Sequence, residues 1–364
     1  MKILFVGDYS NLHATLAKEL SKRGNEVTVI SDKGGFMGTH ADIYLKREHG
    51  VLGGIRYLYQ LFNLLPDLKA YDVVQFINPN FFNLKPGKIK YFFDRLKDQN
   101  GKTFLTLAGN DYFYCKACLD GNLFRFSEFK IGNDFTEFHK ENPNLLYGWT
   151  NYVNRSWNEY FYDKIDGAMS VLPEYDMVAR QIIPDKTIFT NLPIDIESLP
   201  VTYFQNDKPV KLFLGIKSGM EKQKGTKELL KIAKEIEVEN PENVRLDFVR
   251  DLPFNLFQQK MSQSDIVLDQ LYAYSPATTA LIAMGMGKVA ASGGQQEFYD
   301  YIGNPIEKPV LSLSPFDKDI KEKLLTLIFN SHEIEKRGRA SRKLVEKNND
   351  VSIVADKFVN HWQK

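Results

Sequence analysis

The stretch from Ser264 to Glu297 constrains the fold more than any other part of the chain, because it predicts a complete strand, helix and strand unit. The apolar run 266–268 is long enough for a buried parallel strand and too short for a helix. A second short apolar run follows at 289–291. Two strands joined by a crossover helix are typical of a parallel sheet covered by helices.

The helix inside this stretch has clear start and stop signals. Ser275 suits the N-cap and Pro276 the first helical position, so the sequence predicts a helix from Pro276 to about Met286. Gly287 suits the left-handed residue that ends many helices. The N-terminus of such a helix presents backbone N–H groups and the positive end of a dipole, which together favour a phosphate group.

Length and charge restrict the classes of protein that the chain can belong to. A chain of 364 residues is long for one core and fits two domains. The 47 basic and 46 acidic residues leave a net charge of +1, which argues against nucleic acid as a partner. Cys115 and Cys118 are the only cysteines, and no second pair or histidine cluster completes a zinc site. The short apolar run 3–6 predicts a first strand in a cytoplasmic protein.

The first half opens with the same architecture. The predicted strands 3–6 and 27–30 flank a helix whose leucines recur at helical spacing. Gly7 follows the first strand, but the next glycine is Gly24, so the fingerprint of a dinucleotide-binding turn is absent. An NAD-dependent dehydrogenase is therefore the least favoured enzyme class.

The change of pattern near residue 199 marks a domain boundary, because residues 199–209 are irregular, polar and bracketed by proline. We predict an α/β protein with two Rossmann-like parallel-sheet domains facing a cleft. Residues 1–198 form the acceptor domain, residues 199–350 the donor domain, and residues 351–364 a C-terminal helix that returns to the first domain.

Two segments of the first half have more than one interpretation. Residues 85–97 interleave lysine and arginine with aromatic residues, which is typical of a helix on a membrane surface and also of a half-exposed crossover helix; the sequence favours the second. Residues 113–162 are rich in aromatic residues and asparagine, and form either an insertion that lines the cleft or ordinary packing.

The chain resembles the GT-B glycosyltransferases, in particular the nucleotide-sugar enzymes of glycosyltransferase family 4. The distinctive part of the resemblance runs from Ile266 to Gly294. The matching segments are Leu212–Gly215, Lys224-Gly225, Ser264–Gln270, Ala283–Val289 and Ser292–Gly294, with looser matches at Leu4–Gly7, Gly109–Asp111, Asp166–Ala168 and Asn191–Asp195.

This resemblance implies a set of donor-binding residues. Lys224 would hold the donor diphosphate, with Gly225 permitting close approach of the backbone. Lys217 is a weaker match for the second basic donor residue. The backbone that cradles the phosphates would be that of Ser275, Ala277, Thr278 and Thr279, and the predicted donor is a UDP- or GDP-linked sugar.

The chain departs from the family at two positions that carry glutamates in retaining members, one toward the donor sugar and one toward the ribose. These positions are occupied by Tyr274 and Ile282. We still predict Tyr274 as a donor-binding residue, because it precedes the cradle. Asp269 and Glu297 are the nearest carboxylates that could replace them. The departure also leaves open a non-catalytic homologue that binds a glycan or a partner enzyme, and a sugar-nucleotide epimerase is a further alternative.

Transfer of a sugar requires stabilisation of the leaving diphosphate and deprotonation of the acceptor hydroxyl. Asp111, by resemblance, and His13 are the candidate bases. We predict acceptor contacts from Ser10, Asn11 and Asn110. The Asp-Lys-Asp run 317–319 lies in a polar segment, so we predict neither metal nor cofactor.

The hypothesis from sequence is thus a metal-independent glycosyltransferase, cytoplasmic or membrane-peripheral. It would act on a glycan or lipid-linked saccharide.

Overall fold

The computed structural model describes residues 1–32, 41–82, 84–206 and 208–364. Its contacts divide the chain into two compact units. Unit 1 contains residues 1–117, 144–193 and 351–364, and unit 2 contains residues 118–143 and 194–350.

The strands are β1 Lys2–Val6, β2 Glu26–Ser31, β3 Ile43–Tyr44, β4 Val73–Phe76, β5 Lys102–Leu107, β6 Lys130–Ile131, β7 Asp134–Phe135, β8 Gly167–Ser170, β9 Thr187–Phe189, β10 Val210–Ile216, β11 Val244–Arg250, β12 Ile266–Leu268, β13 Val289–Ser292 and β14 Leu311–Ser312.

The α-helices are α1 Leu12–Lys22, α2 Gly50–Leu64, α3 Pro86–Asp98, α4 Tyr112–Asp120, α5 Glu137–Glu141, α6 Pro143–Thr150, α7 Tyr152–Lys164, α8 Pro173–Ala179, α9 Glu221–Lys224, α10 Thr226–Glu239, α11 Phe254–Ser262, α12 Thr278–Gly285, α13 Gln296–Tyr301, α14 Ile320–Ile328, α15 Ser331–Asn348 and α16 Val351–Trp362. In the described part of the chain, no helix is both long enough and apolar enough to cross a membrane.

Unit 1 is built on a parallel sheet of seven strands in the order β3-β2-β1-β4-β5-β8-β9. β1 pairs with β2 on one side and with β4 on the other, in parallel register throughout. The chain therefore leaves β1 toward one edge of the sheet and later returns to its other side. This reversal next to β1 creates a crevice at the carboxyl ends of β1 and β4, where ligands of open α/β sheets bind.

The C-terminal helix α16 belongs to unit 1, as the sequence predicted. Arg23 on α1 forms an ion pair with Asp356 on α16, with 2.5 Å between Nη1 and Oδ1. Lys357 donates to the carbonyl oxygen of Thr190 at 3.0 Å, and the indole of Trp362 is buried. These contacts attach the last helix to α1 and to the residue that follows β9.

Unit 2 contains a parallel sheet of five strands in the order β11-β10-β12-β13-β14. Here β10 is the strand beside which the order reverses, since it pairs with β11 on one side and β12 on the other. The strands alternate with helices, and their apolar side chains form one core with α10 and α14. The prediction of two parallel α/β sheets is confirmed.

Residues 118–143 differ from the predicted division, which assigned them to the first domain. They pack in unit 2 and contribute the short antiparallel pair β6–β7 and the helix α5. Phe126 is buried against Tyr274, with ring centroids 4.4 Å apart and planes within 9°. Either core could bury the aromatic side chains of this segment, and the order of residues along the chain does not show which core does so.

The helix α12 begins later than its sequence signals predict. Its N-cap is Ala277 in extended conformation, so Ser275 and Pro276 lie in the preceding loop. The loop is held there because the backbone N–H of Gln295 donates to Tyr274 at 2.9 Å, and because Gly293 lets the backbone of residues 273–275 approach closely. Tertiary contact thus overrides the local preference of serine and proline for the helix start.

The end of α12 agrees with its prediction. Gly287 has φ +80°, its N–H donates to Met284, and the N–H of Lys288 donates to Ala283, each at 3.0 Å. This pair of hydrogen bonds is the Schellman motif, which supplies donors to carbonyl groups that have no hydrogen-bond partner within the helix.

Replacement of Gly287 by alanine tests this motif. A Cβ at Gly287 would lie 2.8 Å from the ring of Tyr203, whereas a Cβ at Gly303, with φ +82°, would meet nothing within 4 Å. We expect Gly303→Ala to cost about 1 kcal/mol for the left-handed backbone alone, and Gly287→Ala to cost about 1–3 kcal/mol more through overpacking. Thermal unfolding of the two variants measures the difference, and equal losses would contradict the account.

Candidate functional site

The candidate donor site lies at the carboxyl ends of β10 and β12 in unit 2, beside the reversal of strand order. The β10 strand leads into a loop and the short helix α9, which ends at Lys224. The β12 strand leads into the loop that contains Asp269 and ends at α12. The topology thus brings the predicted Lys224 and the predicted phosphate cradle to one edge of the sheet.

Gly225 joins α9 to α10 with φ +72° and serves as the N-cap of α10. A Cβ at this position would lie 2.9 Å from the Cβ of Leu271. The N–H of Leu271 donates to the carbonyl oxygen of Lys224 at 2.9 Å. Gly225 therefore allows the turn that carries Lys224 to lie directly against the loop after β12.

Lys224 acts electrostatically on Asp269, the first residue after β12. Asp269 is buried and accepts a hydrogen bond from the hydroxyl of Ser292 at 2.9 Å. Burial raises the pKa of Asp269, while the positive charge of Lys224 and the bond from Ser292 act in the opposite direction. Lys224 therefore lies close enough to Asp269 for its positive charge to act on this carboxyl group.

The N-terminus of α12 carries the predicted cradle residues Ala277, Thr278 and Thr279. The N-cap residue Ala277 makes no capping hydrogen bond with its side chain, and the first turn contains no acidic residue. The first backbone N–H groups of a helix have no partner within the helix. Ser275 lies upstream and is fully buried, so Ala277 to Thr279, rather than Ser275, form the helix end.

Tyr274 has a different position from the one expected of a donor contact. Its hydroxyl accepts hydrogen bonds from the backbone N–H groups of Arg125, at 2.6 Å, and Phe126, at 3.2 Å. Its side chain is buried and stacked on Phe126. Tyr274 thus anchors the 118–143 segment to the loop before α12. Ile282, the other glutamate position, is a buried core residue of α12.

Arg125 and Glu297 form an ion pair above Tyr274, which sequence reasoning did not connect. Arg125 Nη2 lies 2.8 Å from Glu297 Oε1, and its guanidinium lies 5.5 Å from the centroid of the Tyr274 ring. The other carboxylate oxygen of Glu297 is buried and has no hydrogen-bond partner among the described residues. Arg125 had no signal in the sequence, because nothing there indicates that residues 118–143 fold with unit 2.

The other basic residues between β10 and α10 interact with acidic residues other than Asp269. Lys217 is exposed. The pKa of Asp251 after β11 is lowered mainly by hydrogen bonds from Ser218, and to a smaller extent by the charges of Arg250 and then Lys217. Lys222 forms ion pairs with Glu137 and Glu141 on α5. Lys217 therefore lies toward the β11 side of β10, and Lys224 toward the β12 side.

The candidate acceptor loop of unit 1 follows β1. Gly7, Ser10 and Asn11 have positive φ angles, so the chain turns sharply before α1. The carboxylate of Asp8 stabilises the turn by accepting the N–H groups of His13, at 3.0 Å, and Ala14, at 3.1 Å. Burial raises the pKa of Asp8 to about 6 despite these bonds. Ser10 is exposed and Asn11 half-buried at the mouth of the crevice beside β1.

His13 lies in the interior of unit 1, and both of its ring nitrogens are hydrogen-bonded. Nδ1 lies 2.6 Å from the carbonyl oxygen of Gly7, which can only accept, so Nδ1 carries the proton. Nε2 therefore accepts from the hydroxyl of Thr106 at 2.9 Å. Burial lowers the pKa of His13 to about 3, and the bond to Gly7 opposes this shift.

This bond is one link of a longer chain of hydrogen bonds. The Thr106 hydroxyl accepts from the amide of Gln75 at 2.9 Å, and the Gln75 carbonyl accepts from the indole N–H of Trp362 at 2.9 Å. Each group donates in the same direction, from α16 toward Gly7. Since a general base needs a nitrogen free to take the substrate proton, this geometry gives His13 a structural position and does not favour the catalytic role we predicted for it.

Asp111 follows β5 and is buried at the start of α4. One carboxylate oxygen accepts the N–H of Tyr114 at 2.8 Å, and the other accepts the hydroxyl of Tyr162 at 2.5 Å. Burial raises the pKa of Asp111, and these bonds act against the shift. Asp111 lines a small cavity with Thr106 and Gly109. The adjacent Asn110 is half-buried, and its carbonyl accepts from the side chain of Asn78 at 3.1 Å.

The acidic run 317–319 has structural roles. Asp317 accepts the N–H of Ser314 and pairs with Lys323, and Asp319 caps α14. Within the described ranges, no three His, Cys, Asp or Glu side chains are grouped closely enough to hold a metal ion. Cys115 and Cys118 are buried on α4 and are not joined in a disulfide.

No protein-family model matches the sequence, and no characterised protein matches it at the level of sequence. Solved structures do match the fold. The sucrose-phosphate synthase of Thermosynechococcus elongatus superposes with a TM-score of 0.65 at 10% identity, over 100% of this chain and 98% of that one. The catalytic domain of starch synthase IV from Arabidopsis thaliana, bound to ADP and acarbose, gives 0.61 at 12% identity, over 100% and 99%.

Anabaena Alr3699/HepE in complex with UDP-glucose gives a TM-score of 0.57 at 13% identity, over 99% of this chain and 98% of that one. These similarities over nearly whole chains show that the protein has the GT-B fold, as the sequence predicted. Membership of glycosyltransferase family 4 within that fold stays a prediction.

The proton position on His13 is directly measurable. We expect ¹⁵N-labelled histidine spectra to show His13 neutral with the proton on Nδ1 between pH 8 and 5, because its pKa is lowered to about 3. The unfolded chain takes up this proton near pH 6.5, so His13 destabilises the fold progressively as the pH falls from 6.5 toward 3. The same sample in urea is the control, and a folded-state titration above pH 6 would overturn the assignment.

Removal of the Tyr274 hydroxyl tests whether this side chain anchors the 118–143 segment. We expect Tyr274→Phe to leave the N–H groups of Arg125 and Phe126 without their acceptor, at a cost of about 1–3 kcal/mol. Hydrogen exchange at residues 124–126 should then accelerate about tenfold or more. Tyr272→Phe, a half-buried tyrosine of the same loop, is the matched control. Unchanged exchange in Tyr274→Phe would rule out the anchor.

Proposed function

We propose that the protein is a glycosyltransferase that moves a sugar from a nucleotide-sugar donor, UDP- or GDP-linked, to a glycan or lipid-linked acceptor. The observation that carries this proposal is that Lys224 acts electrostatically on the buried Asp269, and that the loops carrying these residues and the N-terminus of α12 follow β10 and β12 at the reversal of strand order. The GT-B structures with UDP-glucose and with ADP and acarbose support this class of substrate.

Lys224 and the N-terminus of α12 would serve the leaving group. As the bond between sugar and diphosphate breaks, negative charge develops on the diphosphate oxygens. A lysine and backbone N–H groups fixed beforehand stabilise that charge without reorganisation. Thr278 and Thr279 are the first residues of α12, and their N–H groups would face this charge. The proposed reaction is therefore independent of metal and needs no cofactor.

The carboxylate expected at position 274 would be supplied by Glu297. One of its oxygens is fixed by Arg125, and the other is buried without a partner among the described residues. A hydroxyl of the donor sugar would satisfy that oxygen. Asp269 is the less suitable replacement, since it is buried and already accepts from Ser292.

Unit 1 would bind the acceptor. Asp111 is the proposed base, because it lines a cavity at the end of β5 and because burial raises its pKa, which makes the carboxylate a better proton acceptor. The loops after β1 and β5 contain Ser10, Asn11 and Asn110, whose polar groups would orient the acceptor sugar. A cytoplasmic, membrane-peripheral location forms part of this proposal.

Donor binding is tested by isothermal titration of the whole chain with UDP, GDP and their glucose conjugates. We expect one nucleotide to bind, and Lys224→Ala to weaken its binding about tenfold or more through loss of a charged contact to phosphate. Lys231→Ala is the matched control, because Lys231 is exposed on the following helix α10.

Transfer to oligosaccharide acceptors is then measured with the nucleotide that binds. Binding of no nucleotide, or an equal loss in both lysine variants, would contradict the donor site. Donor turnover into an epimer without an acceptor would favour the epimerase alternative, and binding without any turnover would favour the non-catalytic one.

A further inference from the structure

The helix α2 is apolar on two opposite faces. Gly53, Tyr57 and Leu61 are buried against unit 1. The opposite face carries Val51, Leu52, Ile55, Tyr59 and Phe62, whose exposed fractions lie between 49% and 82%. Most of these positions recur at spacings of three and four residues, so they form one continuous stripe along the helix. We call these five residues the outer face of α2.

The neighbouring helix α3 extends this apolar surface. Tyr91 is exposed and its ring lies 5.5 Å from that of Phe62. The opposite side of α3 is buried through Ile89, Phe92 and Leu96. A contiguous exposed surface of aliphatic and aromatic side chains is uncommon on a protein without a partner there.

Basic residues flank this surface. Arg56 on α2 is exposed, and Lys88 and Arg95 lie on the same side of α3 as Tyr91, three residues before it and four after it. Two acidic residues oppose these cations: Glu48, which pairs with both Lys46 and Arg56, and Asp98, which is exposed seven residues after Tyr91 on α3. Two carboxylates thus stand against the four cations Lys46, Arg56, Lys88 and Arg95, so the charge of these residues around the outer face is positive.

We propose that the outer face of α2, with Tyr91, docks on an anionic lipid membrane, with α2 lying in the plane of the interface. Aliphatic side chains would enter the boundary between headgroups and acyl chains, the tyrosines would keep their hydroxyls at the headgroups, and the lysine and arginine side chains would contact lipid phosphates. The sequence analysis gave the membrane alternative to residues 85–97, which include Lys88, Tyr91 and Arg95, but it did not single out the outer face of α2.

A second copy of the chain fits this surface less well. The helix α2 has 15 residues and is about 22 Å long, so the outer face is a narrow ridge, whereas a stable dimer buries about 800 Å² on each partner. A symmetric pairing would also bring the cations of both copies together. A sheet of anionic headgroups accepts a narrow ridge and complements its charge.

This inference is independent of the proposed enzymatic function, and vesicle binding tests it without donor or acceptor. We expect the full-length protein to co-sediment with vesicles of phosphatidylcholine and phosphatidylglycerol, and to bind pure phosphatidylcholine vesicles much more weakly. Leu52→Glu combined with Ile55→Glu should reduce binding to the anionic vesicles about tenfold or more. Arg56→Gln combined with Lys88→Gln should give a smaller loss of binding. In 0.5 M salt this variant should bind like the unchanged protein, because salt screens the attraction that the two charges provide.

The matched control is Val238→Glu combined with Ile306→Glu, which adds the same charge at two exposed apolar residues of unit 2. It should bind vesicles as the unchanged protein does, and titration with UDP and GDP should be the same for all variants. Absence of binding, equal binding to both vesicle types, or an equal loss in the control would overturn the proposal. A dimer in light scattering that Leu52→Glu and Ile55→Glu dissociate would assign the face to a second copy instead.

Discussion

The pairing of β1 and of β10 with a parallel neighbour on each side is the constraint on which both candidate sites depend. Parallel strands need crossover helices. The crossovers from β1 and β4 run in opposite directions along the sheet, as do those from β10 and β12, so the loops at the carboxyl ends of each pair diverge and expose a crevice. In unit 1 the residues at this crevice follow Gly7. In unit 2 they are Lys224 and the loop after β12. The chemistry of each site follows from the side chains that these loops carry.

Buried hydrogen bonds hold the loop that borders the crevice in unit 1. The chain of donors from Trp362 through Gln75, Thr106 and His13 ends on the carbonyl of Gly7, which begins the candidate acceptor loop. A buried polar network is stable only where every member is satisfied, and it then permits one arrangement. The last helix of the chain thereby holds the first loop in place, although the two are at opposite ends of the sequence.

The sequence contained most of the fold, because apolar periodicity and glycine conformation are local properties. The strand 266–268, the C-terminal helix α16 and the left-handed Gly287 appear where the pattern predicted them. The site was less predictable. The roles of Tyr274 and Arg125 depend on residues 118–143 leaving the unit of their sequence neighbours, and the start of α12 depends on the backbone packed against Gly293. No local pattern records such contacts.

Packing also accounts for the two missing glutamates. Position 274 lies buried beside Phe126 and must accept two backbone N–H groups. A glutamate there would bury a charge between aromatic rings, whereas a tyrosine supplies both a ring and a neutral acceptor. Position 282 is enclosed in the core and selects an aliphatic side chain. If the proposed donor sugar is bound, a carboxylate toward it would have to come from another position, and Glu297, which is half-exposed and paired with Arg125, is the one that we propose.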